Sequence, residues 1–275
     1  MSIDPVTSDK DKRDGQDNIE ASRAPLMDHL VELRSRLIKA LIGFFVMFVI
    51  CFAFSKQIYQ ILLMPYAWAA GGADKVAAQF THPLESLFTQ IKIGVFGGLF
   101  MSFPVIATQI YKFVAPGLYK NEKDAFLPYL LATPVFFLLG TLLVFFVAMP
   151  LLMQFALGQQ VTGGEGLAAI RLDVKISEYL DLIMQLIFAF GITFQLPVVL
   201  TLLARAGIID SAFLIEKRRY AIVIVFVIAA VLTPPDVISQ FALAIPTLLL
   251  YELAIFSVKY VERGKAKPPK DSPAA

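Results

Sequence analysis

Residues 126–153 read FLPYLLATPVFFLLGTLLVFFVAMPLLM, a run without one charged side chain. As an α-helix it would be about 42 Å long, more than the roughly 30 Å hydrocarbon core of a bilayer. Four further long apolar runs surround it, Leu37–Phe54, Leu87–Tyr111, Tyr179–Ala204 and Val237–Val258, with a shorter one at Tyr220–Leu232. The 275-residue chain is 57% hydrophobic, 17% charged and contains 24 phenylalanines, with a mean hydropathy of +0.70. Soluble domains carry roughly 25% charged residues, so the surplus of apolar side chains here must face lipid. A soluble enzyme, a nucleic-acid binder and a secreted disulfide scaffold are excluded.

The chemistry of the remaining residues points to binding or transport without an enzyme activity. Cys51 is the one cysteine and lies in an apolar run, so there is neither an intramolecular disulfide nor a cysteine metal site. The two histidines, His29 and His82, stand outside the apolar runs, which leaves no Ser–His or His–metal site within the membrane. No phosphate-binding loop of the Gly-rich Lys-Ser/Thr type occurs, and no cofactor is expected.

Six runs predict an all-α integral membrane protein of six transmembrane helices, with both termini on one side. The segments 1–39, 111–125, 205–219 and 259–275 share that side and hold 19 of the chain's 24 Lys and Arg. The opposite loops hold Lys56, Lys75, Arg171 and Lys175, and Lys92 falls inside a span. The positive-inside rule makes the first set, and both termini, cytoplasmic. Residues 1–24 are polar and read as a disordered tail, 25–258 as the membrane domain and 259–275 as a basic tail. No cleavable signal peptide is expected at the start.

The fifth run gives only about 20 Å of helix. Thr233-Pro234-Pro235-Asp236 follows it, and two prolines stop the helix and force a tight hairpin into the last run. Either the bilayer thins or a partner covers the short span, or the helix begins early at Phe213 and is interrupted by Glu216-Lys217-Arg218-Arg219.

Ahead of the first span, Leu26, Leu30, Leu33 and Leu37 form one stripe of an amphipathic helix with Pro25 in its first turn. Asp28, Glu32 and Arg36 lie opposite, either as ordinary i,i+4 pairs or as a surface that receives a peptide. The first cytoplasmic loop brings Tyr111, Phe113 and Tyr119 around Pro116-Gly117, with Glu122 between Lys120 and Lys123. Aromatic residues there suit an interfacial belt. Polar groups within spans are functional candidates because burying them is costly. They are Lys92, expected to snorkel and to reach Glu85, Gln195 before Pro197, and Glu252. Thr233, Asp236 and Gln240 cluster at the outer end of the last hairpin. Gly94 and Gly98 make a small packing motif, and Pro104, Pro128, Pro134, Pro197 and Pro246 suggest kinks.

Four of these stretches together resemble the TatC family, the polytopic subunit of the twin-arginine protein translocase. They are His29-Leu-Val-Glu-Leu-Arg-Ser-Arg36, Phe113-Val-Ala-Pro-Gly-Leu-Tyr-Lys-Asn-Glu122, Phe190-Gly-Ile-Thr-Phe-Gln-Leu-Pro197 and Leu232-Thr-Pro-Pro-Asp-Val-Ile-Ser-Gln240. The resemblance covers residues 26 to 260. It implies a glove-shaped bundle with short fifth and sixth spans, in a bacterial inner membrane, that receives the paired-arginine signal peptides of folded cargo. It implies single-span partner subunits of the TatA/TatB type, a hetero-oligomer with several copies, and export driven by the proton-motive force. By the same resemblance Glu32 and Glu122 are the signal-binding carboxylates, with Phe113, Arg34 and Arg36 beside them, and Thr233, Asp236 and Gln240 touch partner helices. One departure stands out: many relatives carry glutamate where this chain has Gln195. An amide hydrogen-bonds but does not titrate, so a proton-carrying role does not transfer to this position. The competing reading is a six-span secondary transporter of a small solute, which would need polar groups at the midplane of broken helices. The sequence offers only Gln195 there and shows no internal repeat.

Overall fold

The computed structural model describes residues 7–76, 78–80, 82–118, 127–160, 172–232 and 237–265. The helices are α1 (Thr7–Ala53), α2 (Ser55–Ala70), α3 (Glu85–Leu118), α4 (Leu127–Leu143), α5 (Met149–Gly158), α6 (Ile176–Thr193), α7 (Leu196–Arg205), α8 (Ser211–Glu216), α9 (Arg218–Leu232) and α10 (Val237–Lys265). The backbone of α1 is helical from Thr7, ahead of the boundary expected at residue 25. Among the described residues, strand pairing is confined to β1 (Ala78–Gln79) and β2 (Val174–Lys175), parallel, with Ala78 opposite Val174.

Five helical segments are long and apolar enough to cross a bilayer: His29–Ala53, Glu85–Phe113, Pro128–Gly158, Ile176–Arg205 and Gln240–Arg263. The fifth expected span, α9, has 15 residues, about 22 Å of helix. It does not run back through Phe213. The separate helix α8 ends at Glu216, and α9 starts at Arg218. The expectation of a short sixth span is overturned, because α10 runs for 29 residues. Its charged residues Lys259, Glu262 and Arg263 carry the helix past the apolar run into the interfacial zone, where polar side chains cost nothing.

Small residues set the helix spacing. A Cβ on Gly98 would lie 2.9 Å from Phe48 Cα, and one on Gly97 would lie 2.9 Å from Cys51 Cβ, so α3 and α1 meet nearly backbone to backbone. The Gly94/Gly98 motif is this seam. A second close crossing joins α4 to α6, where Gly140 faces the Phe190 carbonyl and Gly191 faces the Phe137 ring. Phe137 also stacks on Phe103, centroids 3.8 Å apart, which ties α3 into the same layer. Between α4 and α5 the chain takes a π turn over Val144–Ala148. Pro150 has no N–H to offer the preceding turn, and the wider turn accommodates the loss.

The core gathers on α6, where Leu180, Ile183, Leu186, Ile187 and Phe190 are buried against Ile93, Met149 and Leu243. The bundle thus turns on α6, and its continuation is broken. Gln195 N–H bonds back to the Ile192 carbonyl rather than to Gly191, and α7 restarts with Pro197 in its first turn. Of the prolines expected to kink a span, Pro104, Pro134 and Pro246 are held inside continuous helices and Pro128 lies in the first turn of α4. Only Pro197 coincides with a break. The α2 helix between the first two spans was not legible as an element. It buries Leu62 and Tyr66, and Tyr179 Oη donates to the Leu62 carbonyl at 2.9 Å.

Candidate functional site

The amphipathic start of the first span and the far end of α3 come together. His29 stacks on Phe113 with ring centroids 4.3 Å apart and an interplanar angle of 19°. Helical spacing sets Glu32 one turn above His29, and Arg36 one turn further. Arg36 Nε donates to Glu32 Oε1 at 2.9 Å, and Nη2 donates to the same oxygen. Both groups are partly shielded, with side-chain exposures of 21% for Arg36 and 34% for Glu32. Because both donors converge on Oε1, Oε2 has no partner among the described residues and can accept another guanidinium. Leu30, Leu33 and Leu37 remain exposed.

The structure therefore groups Glu32, Arg36 and Phe113, and adds His29, whose ring the sequence reading left without a role. Its position three residues before Glu32 is the signal that marks it. Arg34 is exposed and meets no carboxylate among the described residues. Glu122 lies outside the described residues.

A second polar set lies along α3, α6 and the α6–α7 break. Lys92 pairs with Asp181 of α6 at 2.7 and 2.9 Å, each side chain half exposed. The expected partner, Glu85, is instead buried at the start of α3. Its carboxylate accepts from His82 N–H at 3.1 Å and Ser177 N–H at 3.4 Å, tying α3 to the start of α6. Lys92 is too far along α3 to compete with these backbone donors, and Asp181 faces it directly. Gln195 is buried at 9% exposure. Its Nε2 donates to the Thr133 carbonyl at 3.1 Å and the Gly191 carbonyl at 3.3 Å. The side chain thus replaces the backbone donor that Gly191 loses at the helix break. Gln195 Oε1 is buried without a partner among the described residues. It borders an open, almost wholly apolar groove of about 730 Å³ between α6–α7, α9 and α10, lined by Phe188, Leu196, Ile224 and Leu243 among others.

At the other end of α10, Gln240 Nε2 donates to the Phe226 carbonyl at 3.3 Å and joins α10 to α9. Thr233 and Asp236 lie outside the described residues. Glu252 pairs with Arg218 at 2.6 Å. Glu262 accepts from Ser211 N–H and Oγ at 2.7 and 2.5 Å, docking α8 on α10.

Comparison with known proteins fixes the family. The family model for the Sec-independent protein translocase protein TatC matches residues 28–246. The TatC of Magnetococcus marinus is 45% identical over 245 residues, 89% of this chain and 88% of that protein. That of Aquifex aeolicus is 40% identical over 246 residues, 90% of this chain and 99% of that protein. A crystal structure of the twin-arginine translocase receptor TatC superposes with a TM-score of 0.72 at 40% identity, covering 86% of this chain and all of that one. By sequence and by fold, the chain belongs to the TatC family of Sec-independent protein translocase subunits.

Proposed function

We propose that this chain is the receptor for paired-arginine signal peptides and the assembly core of a translocase that exports folded proteins at the expense of the proton-motive force. The observation that carries the reading is the Glu32 carboxylate, held half-shielded beside the His29–Phe113 stack with one oxygen committed to a guanidinium and the other open. A carboxylate in that setting favours arginine over lysine, because the planar, weakly hydrated guanidinium can converge two N–H donors on the one open oxygen, as Arg36 does on the other. Glu122, in the segment that follows α3 in sequence, takes the second arginine of the pair.

The protein sits in the bacterial cytoplasmic membrane with six crossings, α9 being the short one, and with both termini in the cytoplasm. The distribution of Lys and Arg supports this orientation. The membrane unit is 25–258, flanked by the polar tail 1–24 and the basic tail 259–275. Single-span subunits of the TatA/TatB type dock at the outer end of the α9–α10 hairpin, where Thr233, Asp236 and Gln240 offer polar groups beyond a short span. Several copies assemble with them. Gln195 and Lys92 bond within the bundle, to Thr133 and Gly191 and to Asp181, and neither is required to bind the signal.

The test is binding of a paired-arginine signal and its paired-lysine version to the reconstituted protein. Arginine preference that disappears in the Glu32→Ala/Glu122→Ala double variant supports the reading. Equal binding of both signals, or an unaltered preference in the double variant, refutes it.

A further inference from the structure

The α8–α9 elbow carries three consecutive cations, Lys217, Arg218 and Arg219, and they are not equivalent. Arg218 is committed to Glu252 across the gap to α10 at 2.6 Å. Lys217 and Arg219 instead meet at the exposed Tyr220 ring, with Lys217 Nζ also 5.9 Å from the Phe213 centroid. Lys217 Nζ lies 5.8 Å and Arg219 Cζ 5.1 Å from the Tyr220 centroid. Arg219 meets no carboxylate among the described residues. Lys217 has Glu216 at 2.6 Å, but this pair is open to solvent, with side-chain exposures of 41% and 70%, and such pairs are weak. Two cations and a phenol thus point outward from one place.

Below that place the helix presents a continuous apolar face. Tyr220, Val223, Ile224, Val227 and Val231 follow the i, i+3, i+4, i+7, i+11 pattern of one face, and all five are exposed. From Tyr220 to Val231 the face descends about 16 Å, against roughly 15 Å for the hydrocarbon depth of one leaflet. A convergent positive head over an apolar strip one leaflet deep matches the two ends of a single amphiphile.

We propose that this elbow is a binding site for an anionic diacyl phospholipid. The phosphodiester is held between Lys217 and Arg219 beside the Tyr220 hydroxyl, and one acyl chain lies along Val223–Val231. Arginine and lysine side chains at a membrane surface favour anionic over zwitterionic headgroups. Charge complementarity selects the lipid over an apolar helix at this end of α9, since such a helix leaves both cations unanswered. The inference rests on the proposed crossing of α9 but not on signal binding.

Brominated acyl chains quench tryptophan on contact, and this supplies the test. The full chain carrying Trp68→Phe and Val227→Trp is reconstituted without partners into phosphatidylcholine vesicles with increasing brominated phosphatidylglycerol or brominated phosphatidylcholine. The anionic lipid is expected to quench at the lower mole fraction. Lys217→Gln/Arg219→Gln should raise the fraction needed about thirtyfold, from about 1 kcal/mol per cation. Lys217→Arg/Arg219→Lys should retain the preference, and Lys259→Gln/Arg263→Gln, two cations removed at the same membrane face, should leave it unchanged. Equal quenching by both lipids, or an equal loss in the Lys259/Arg263 variant, overturns the site. Quenching by neither lipid overturns the crossing of α9 itself. Partner-helix crosslinks to cysteines at Val223 and Val227 that persist in excess anionic lipid would give this face to a protein instead.

Discussion

Replacing Gln195 by leucine keeps the volume of the side chain and removes its hydrogen bonds, and the structure allows the cost to be worked out. Two bonds from Nε2 are lost, at 3.1 and 3.3 Å. Side-chain hydrogen bonds inside membranes contribute about 0.6 kcal/mol on average and about 1.7 at most, so the pair amounts to about 1–2 kcal/mol. The desolvation terms offset one another. The buried Oε1, unpartnered among the described residues, disappears, but the Gly191 carbonyl, which the helix break leaves dependent on Nε2, becomes an unpaired acceptor in its place. Each such acceptor costs about 1–3 kcal/mol. The net expectation for Gln195→Leu is a loss of about 1–2 kcal/mol, with the fold intact. Gln195→Glu is expected to cost more, since an ionised carboxylate sets two oxygens against the Thr133 and Gly191 carbonyls. Reversible unfolding in mixed micelles, followed by circular dichroism, measures both. A loss above about 4 kcal/mol for Gln195→Leu, or a leucine variant less stable than the glutamate one, refutes the reasoning.

Glu32→Ala and Glu122→Ala should each weaken signal binding by about 1.5–3 kcal/mol, roughly 10- to 150-fold in Kd, by titration of a labelled signal peptide. Gly140→Ala places a Cβ 2.7 Å from the Phe190 carbonyl; the α4–α6 crossing should open and cost about 1–3 kcal/mol in the same unfolding assay. Lys92→Met leaves Asp181 with no cation facing it, so the single variant should be less stable than Lys92→Met/Asp181→Leu, and a double-variant cycle reads the difference. Cysteines placed singly at Thr233 and Gln240 should crosslink to a partner's transmembrane helix; adducts confined to the second or third span would place the docking edge elsewhere.

What the sequence made legible was set by the membrane. Apolar length and the sidedness of Lys and Arg are read one residue at a time, and they sufficed for the major helices and for the shortness of α9. The short sixth span came from the family resemblance and not from the apolar run Val237–Val258, which is itself long, and α10 continues past that run through Lys259, Glu262 and Arg263. The Lys92–Asp181 pair joins residues 89 positions apart, and nothing local to Lys92 distinguishes Asp181 from the nearer Glu85. Prolines mislead for a related reason: Pro104, Pro134 and Pro246 sit where neighbours hold the helix, whereas Pro197 follows a side chain able to supply the missing donor. The Glu32 region was visible as an amphipathic pattern, but the stacking of His29 on Phe113 needed the third dimension.

The glycine seam between α1 and α3 also has a mechanical side. With Gly97 and Gly98 against the Cys51 side chain and Phe48 backbone, the two helices touch there almost main chain to main chain, so neither can roll or slide at that point without a collision. The pair behaves as one stiff plate. A tug on His29 or Glu32 at one rim is not absorbed by rotamer changes along the way. It arrives at the opposite rim, where Lys92 grips Asp181 and Glu85 grips the first turn of α6, so the plate acts as a lever whose load falls on the most enclosed helix of the protein.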